Sequence, residues 1–326
     1  MLNKLDSRLS KENIKSKIVF IMYVDTLWPP IVEKLNNPSR FIMTTACGSG
    51  KGYSAKRREG GIPPWKRNDF SIEGGLDMAL TFKDAWKCVF DGTSFVYEYM
   101  FYTDHYADPG YMTFARRVAK DVKELKVTGF EGIMSDQTQR CYFPTALPVS
   151  VFGEFLFDSS LDIEKYIEKY MQDSFGEDYN SAKEYLEAVS FSFDPEAMKQ
   201  NTDVTAFDTG MKDKKAKKAG IIGNEALGRV IDGIPKLVDM FAETVERNLV
   251  LNDKCHSESW RILKYHGEYC KGVSNIYVAL SRNDTDRATE ALKELIDYLS
   301  KVELDIQLYF DLFLFNRRTE QIIAGK

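Results

Sequence analysis

The chain reads as an α/β region followed by an α-helical region, and three observations predict this. Over residues 1–155, short apolar runs alternate with helical segments. The first two runs are nearly continuous in apolar character, as strands covered on both faces are. From residue 156 onward the apolar period becomes helical throughout. The expected division is therefore an α/β domain over 1–155 and a helical domain over 156–326.

In chain order, Lys17 to Val24 (KIVFIMYV) and Arg40 to Ala46 (RFIMTTA) are strand-like, as are Ser94 to Met100 (SFVYEYM) and Gly129 to Ser135 (GFEGIMS). Between the last two, Tyr111 to Leu125 places Phe114, Val118, Val122 and Leu125 on one helical stripe. Strand, helix and strand at this spacing favour a parallel pairing. Residues 48–76 form a long polar stretch with Tyr53, Arg57, Arg58 and Trp65, and a loop is expected there. Ser160 is an N-cap candidate for a helix carrying Ile163, Ile167 and Met171, with Gly176 at its end. Further helices are expected over about 181–189, 225–251, 257–280 and 284–315. The last carries a stripe of Ala288, Ala291, Leu292, Leu295, Leu299 and Val302. Long amphipathic segments of this kind suggest an antiparallel bundle. The lysine-rich stretch MKDKKAKKAG near residue 215 reads as a solvated linker.

Composition narrows the chemistry. The chain has 326 residues and a net charge of −5, so no global basic field invites nucleic acid or an anionic membrane. No run reaches the ~18 apolar residues of a membrane span. The opening apolar run stops at Asp25 with no small-residue cleavage site, against a signal peptide. The five cysteines (Cys47, Cys88, Cys141, Cys255, Cys270) form no C-x-x-C pair, which fits free thiols in a reducing cytoplasm. The three histidines have no zinc-ligand spacing, so neither a metal nor another cofactor is expected. Thr44 to Gly52 imitates a phosphate-binding loop, but Thr45 stands where its first glycine is needed. Gly52 stands where the loop requires Ser or Thr.

Sites in parallel α/β folds lie at the C-terminal ends of the strands. There the sequence offers Asp25 with Trp28, then Tyr97, Glu98 and Tyr99. Asp104 with His105 follows, and then Asp136 with Gln137, Gln139 and Arg140. Glu98 stands out, because a carboxylate inside an aromatic strand is costly to bury unless it is paired or solvated in a cleft. Two carboxylates flanking a scissile bond, ~5–5.5 Å or ~6.5–9.5 Å apart, are the minimum for most glycosidases. Trp28, Tyr97 and Tyr102 are candidates to stack on sugar faces.

The segment FVYEYMFYTDHYADPGYMTFARRVAKDVKELKVTGFEGIMSDQTQRCYFPTALP, followed by FLFDSSLDIEKYIEKYMQDSFGEDY, resembles the DUF4838 family. So does KIVFIMYVDTLWPPIVEKLNNPSRFIM. The resemblance covers about residues 17–195, with DHY-DPGY, QTQR-FPT and FGED as its most specific parts. It implies kinship with glycoside hydrolases of the α-glucuronidase and hexosaminidase type, whose (β/α)8 barrel precedes a helical region. By that resemblance Glu98, Asp104, His105, Gln137 and Arg140 line a sugar site. Glu98, Asp104 and Asp136 are then the expected catalytic carboxylates; Asp25, Trp28, Tyr97, His105, Gln137 and Arg140 are the expected substrate contacts.

Two departures qualify the match. Cys47-Gly-Ser-Gly-Lys-Gly-Tyr53 replaces the Ala-Pro and Arg-Tyr signature after the second strand. The matched part also corresponds to strands five to eight alone, a partial barrel of about four β/α units, where a complete barrel takes about 250 residues. Such a half-barrel leaves two raw sheet edges. Pairing as a homodimer, or divergence from a catalytic ancestor, is the expected answer. The expected activity is hydrolysis of glycosidic bonds; the alternative is a non-catalytic carbohydrate-binding or assembly protein.

Overall fold

A computed structural model describes residues 1–23, 26–46, 57–67, 76–102, 104–199 and 220–325. The candidate Asp25, most of the phosphate-loop imitation and the lysine-rich linker lie outside these residues. The described residues fall into two compact units. The first comprises Met1–Met100 and Lys123–Asp136; the second comprises Phe101–Val122, 137–199 and 220–325.

The first unit is built on an α/β framework. Helix α1 (Leu2–Lys11) precedes β1 (Ile18–Met22) and β2 (Phe41–Ala46); α2 (Leu76–Trp86) leads to β3 (Ser94–Phe101), and α3 (Met112–Thr128), of which this unit holds the part from Lys123 on, to β4 (Gly132–Gln137). The strands form one parallel sheet in the order β1-β2-β3-β4. Register pairs Phe20 with Met43 and Met43 with Ser94. Because side chains alternate along a strand, this register puts Ile18, Phe20, Met22, Phe41, Met43 and Val96 on one face. There Met22, Phe41 and Met43 pack with Met78, Phe82, Trp86 and Phe90 from α2 and its exit. Each large side chain buried in this way contributes about 1.5–3 kcal/mol. On the opposite face Val19 and Ile21 remain 54% and 43% exposed.

Two charged side chains lock this unit. Arg40 donates from Nε to Asp6 Oδ1 (2.8 Å) and from its terminal nitrogens to the carbonyls of Ile14 and Ser16 and the hydroxyl of Ser10. It thereby ties α1 and the following turn to the start of β2. Lys83 on α2 donates to the carbonyls of Thr128 and Gly129 at the C-terminal end of α3, where helix carbonyls run out of intrahelical donors. Its ammonium lies 4.3 Å from the Phe130 ring, and burial lowers its pKa to about 8.

The second unit is helical. After β4 come α4 (Leu147–Phe157), α5 (Ile163–Phe175), α6 (Tyr179–Phe193) and the short α7 (Pro195–Lys199). Then follow α8 (Glu225–Ile231), α9 (Ile234–Asn248), α10 (Lys254–Ser281), α11 (Thr285–Lys301), α12 (Glu303–Ile306) and α13 (Leu312–Ile323). Helix α10 packs against α5, α8, α9 and α11, with Trp260 fully buried and its indole N–H on the Phe175 carbonyl.

Several boundaries differ from the sequence reading, each for a local reason. The cap of α5 is Asp162, whose carboxylate accepts the N–H groups of Glu164 and Lys165; Ser160 instead joins a turn organised by Asp158. The expected helix over 225–251 is two helices, because Pro235 sits in the first turn of α9 and has no N–H to continue α8. The expected helix over 284–315 breaks after Lys301, and Asp311 caps a new start by accepting the Leu314 N–H. The predicted stripe from Ala288 to Leu299 is buried.

Candidate functional site

Strand β3 decides the geometry of the first unit. Its burial alternates strictly from Ser94 to Met100, so Ser94, Val96, Glu98 and Met100 point one way and Phe95, Tyr97 and Tyr99 the other. Glu98 thus lies on the helix-covered side and is only 3% exposed; its Oε1 accepts the Tyr99 N–H at 3.0 Å. The half-buried Tyr97 and Tyr99 stand on the opposite, open face, their rings edge to face at 5.3 Å. Trp28 belongs to the helix side as well. Its ring packs on Phe82 and its N–H binds the Pro63 carbonyl.

On the open face the four strands contribute five groups, with Thr44 level with Phe95 and so one same-face step below Tyr97. They are Tyr23 just past β1, Thr44 from β2, the tyrosine pair from β3 and half-buried Asp136 from β4. Tyr97 donates its phenol proton to Asp136; burial first, and then that carboxylate, raise its pKa. Burial also pushes Tyr99 up to about 12, helped by Tyr23, Tyr97, Asp136 and Glu98. The Thr44 hydroxyl is buried on this face without a hydrogen-bond partner. Phenols and a carboxylate can together stack on and hydrogen-bond a polar ligand.

The other predicted acid belongs to the second unit. Asp104 and His105 begin a buried turn, Asp104–Ala107. Asp104 accepts from Arg117 at 3.0 Å, with Arg318 of α13 also acting on it; burial raises its pKa against the pull of both guanidiniums. His105 packs 4.0 Å from the Tyr106 ring, and neither of its ring nitrogens has a hydrogen-bond partner. Burial, reinforced by Arg318, drops its pKa to about 3. Arg318 lies over the face of Tyr106 and donates to Tyr277. This arrangement is a closed polar core in which the imidazole is neutral and the carboxylate is neutralised by cations. Gln137 is exposed at the end of β4, and Arg140 is half-buried just before Cys141 bridges to Phe310.

Comparison with known proteins returns no match: no family model, no curated sequence and no solved structure is similar.

Of the sequence-predicted residues, the fold therefore brings Tyr97 and Asp136 into direct contact and sets Glu98 on the opposite face of their sheet. Tyr23, Thr44, Arg117 and Arg318 enter only through the structure. Period-two alternation in SFVYEYMF is the signal that separates Glu98 from its tyrosine neighbours. A groove of about 620 Å³ between α11 and α13 is lined by Thr285, Thr289, Leu292, Ile296 and Ile323, and by none of the predicted residues. Among the described residues, no cluster of His, Cys, Asp and Glu is arranged to hold a metal ion. No described helix is long and apolar enough to cross a membrane. Cys88, Cys141, Cys255 and Cys270 are free thiols.

Proposed function

We propose that the chain is a carbohydrate-binding protein on a half-barrel scaffold of glycoside-hydrolase ancestry, in which the open sheet face binds sugar without cleaving it. The observation that carries this reading is the Tyr97–Tyr99 pair with Asp136, half-buried on that face at the C-terminal strand ends. Aromatic rings beside a hydrogen-bonding carboxylate suit the alternating apolar and hydroxylated surfaces of a sugar ring. Strand order that follows the chain, with helix α2 on one face, is what one half of a (β/α)8 barrel requires. The DUF4838 resemblance supplies the carbohydrate expectation.

Binding is favoured over hydrolysis by the placement of the acids. Glycosidic cleavage needs two carboxylates reaching one bond. Glu98 is enclosed on the helix side, Asp104 is buried against Arg117, and Asp136 is the carboxylate on the open face among the described strand residues.

A glycan array together with aryl-glycoside and glucuronide turnover tests the proposal. Binding that Tyr97→Ala abolishes, without turnover in wild type or Glu98→Gln, is expected. Turnover that Glu98→Gln removes overturns the non-catalytic reading. Light scattering tests the accompanying homodimer, which a monomer at working concentration rules out.

A further inference from the structure

Strand β1 ends the sheet among the described residues, and the bonds of its neighbours define its outer edge. The Met43 N–H donates to the Thr93 carbonyl at 3.0 Å, so the main chain of Met43 faces β3. Main-chain groups alternate sides along a strand, and Ile42 and Thr44 therefore face β1. Phe20 is level with Met43 and takes the bonds of both. Val19 and Ile21 then turn their N–H and carbonyl groups outward, as does Lys17 just before the strand. The Thr26 hydroxyl agrees with this direction, because it lies 2.7 Å from the Ile21 carbonyl. Among the described residues nothing bonds the Val19 N–H, the Val19 carbonyl or the Ile21 N–H.

Exposed edges are usually guarded by a proline, a bulge or a charge. Strand β1 has no proline, and its register with β2 runs unbroken from Ile18 to Met22. The Lys17 ammonium is turned onto the Ser39 carbonyl. The side chains of Val19 and Ile21 are 54% and 43% exposed beside the same edge.

The geometry points to this edge as the pairing surface for a second copy of the chain, with the two β1 strands antiparallel about a two-fold axis at Val19. Opposite residues at such a position exchange both of their main-chain bonds. Val19 of each copy thus serves the other, and the Ile21 N–H of each meets the Lys17 carbonyl of the other; symmetry makes every bond twice. On the open face the same register sets Val19 against Val19 and Ile21 against the Lys17 stem. A foreign peptide has to be ordered before it pairs, whereas a second copy presents a strand already held in a sheet. The inference names the interface of the homodimer proposed above and rests on that part of the reading, not on sugar binding. An edge this short buries less than the ~1,600 Å² of a standard interface, so a dissociation constant of roughly 10–100 μM is expected.

Sedimentation velocity of the full chain over about 1–300 μM spans that constant. Val19→Lys and Val19→Glu each set like charges against one another at the axis and should weaken self-association by about tenfold or more. Mixing the two variants sets Lys against Glu and should restore the dimer. Circular dichroism verifies that both are folded. Should either unfold, hydrogen exchange of the wild type decides: the peptide spanning β1 should gain protection as concentration rises.

A wild-type monomer at every concentration overturns this interface and the homodimer together, and leaves an extended segment of a different protein as the occupant of the edge. Sugar binding is untouched by that result. A dimer that both variants retain, or whose β1 exchange is the same at every concentration, overturns this interface alone. Variants that dissociate and do not reassociate on mixing overturn the two-fold pairing.

Discussion

Replacing His105 with Phe tests the closed polar core of the helical unit. The imidazole is 2% exposed, neither nitrogen has a partner, and its pKa falls to about 3 in the folded protein. In the unfolded chain it returns to about 6.5. As pH drops, the unfolded chain takes up this proton first, so the contribution to stability is complete above about 6.5 and is lost on acidification toward 3. At 1.36 kcal/mol per pH unit of proton uptake, the loss from His105 between pH 8 and pH 5 is about 2 kcal/mol. His266, also buried and lowered to about 4, loses a similar amount over that range. Together they remove roughly 4 kcal/mol, a large share of the ~5–15 kcal/mol that holds a typical domain. The buried carboxyls of Asp104 and Asp108 are raised and shift the total in the opposite direction, so the informative quantity is the difference between variant and wild type. Phe fits among Tyr106 and Tyr111 and gives up no hydrogen bond. Urea unfolding of His105→Phe should show a gain of roughly 1–3 kcal/mol at pH 8, the cost of burying unsatisfied polar atoms. That gain should widen by about 2 kcal/mol at pH 5. A gap between variant and wild type that stays constant from pH 8 to pH 5 would refute the assignment of a neutral, unpartnered imidazole.

Three further outcomes follow from the packing. Arg40→Ala should release α1, costing roughly 3 kcal/mol as Asp6 is left buried without its guanidinium; limited proteolysis near residue 12 reads the release, and Lys should not rescue it because it lacks the planar fork. Gly110→Ala should cost about 3 kcal/mol or prevent folding, since the added methyl collides with the Leu186 carbonyl and Ser190; thermal melts measure it. Asp108→Ala should lower stability by about 2–4 kcal/mol, because the carboxylate accepts both the Phe114 N–H (2.7 Å) and the Ser190 hydroxyl (2.6 Å) in a buried setting. Asn should recover part of that loss in the same denaturant titration.

The strands were readable because runs such as KIVFIMYV and RFIMTTA combine apolar continuity with β-branched residues over lengths that suit a strand. Helix α4, LPVSVFGEFLF, was hidden by the same property: it is apolar nearly all round and has no clear period. Helix α2 was masked by the polar stretch before it. The candidate site shows a different limit. Tyr97 and Asp136 were picked out singly by their position at strand ends, but their contact depends on pairing β3 with β4. Glu98 drew attention as a charge in an aromatic run, while the alternation that sends it to the helix side is a property of that same run. The Asp104 core was least legible, because Arg318 lies more than two hundred positions away and nothing local in FNRRTEQ marks it as a partner.

The strand order β1-β2-β3-β4 also governs how the sheet is assembled. Each strand pairs with the one before it, so a chain emerging from the ribosome at about 5–20 residues per second adds every new strand to an edge that already exists. No finished pair has to reopen to admit a later strand. The loops closed at each step are those between neighbours in sequence, which keeps the entropy of closure modest. The Tyr97–Asp136 contact is the exception: it can form only when Asp136 arrives on the last strand, so it belongs to the final step of sheet assembly.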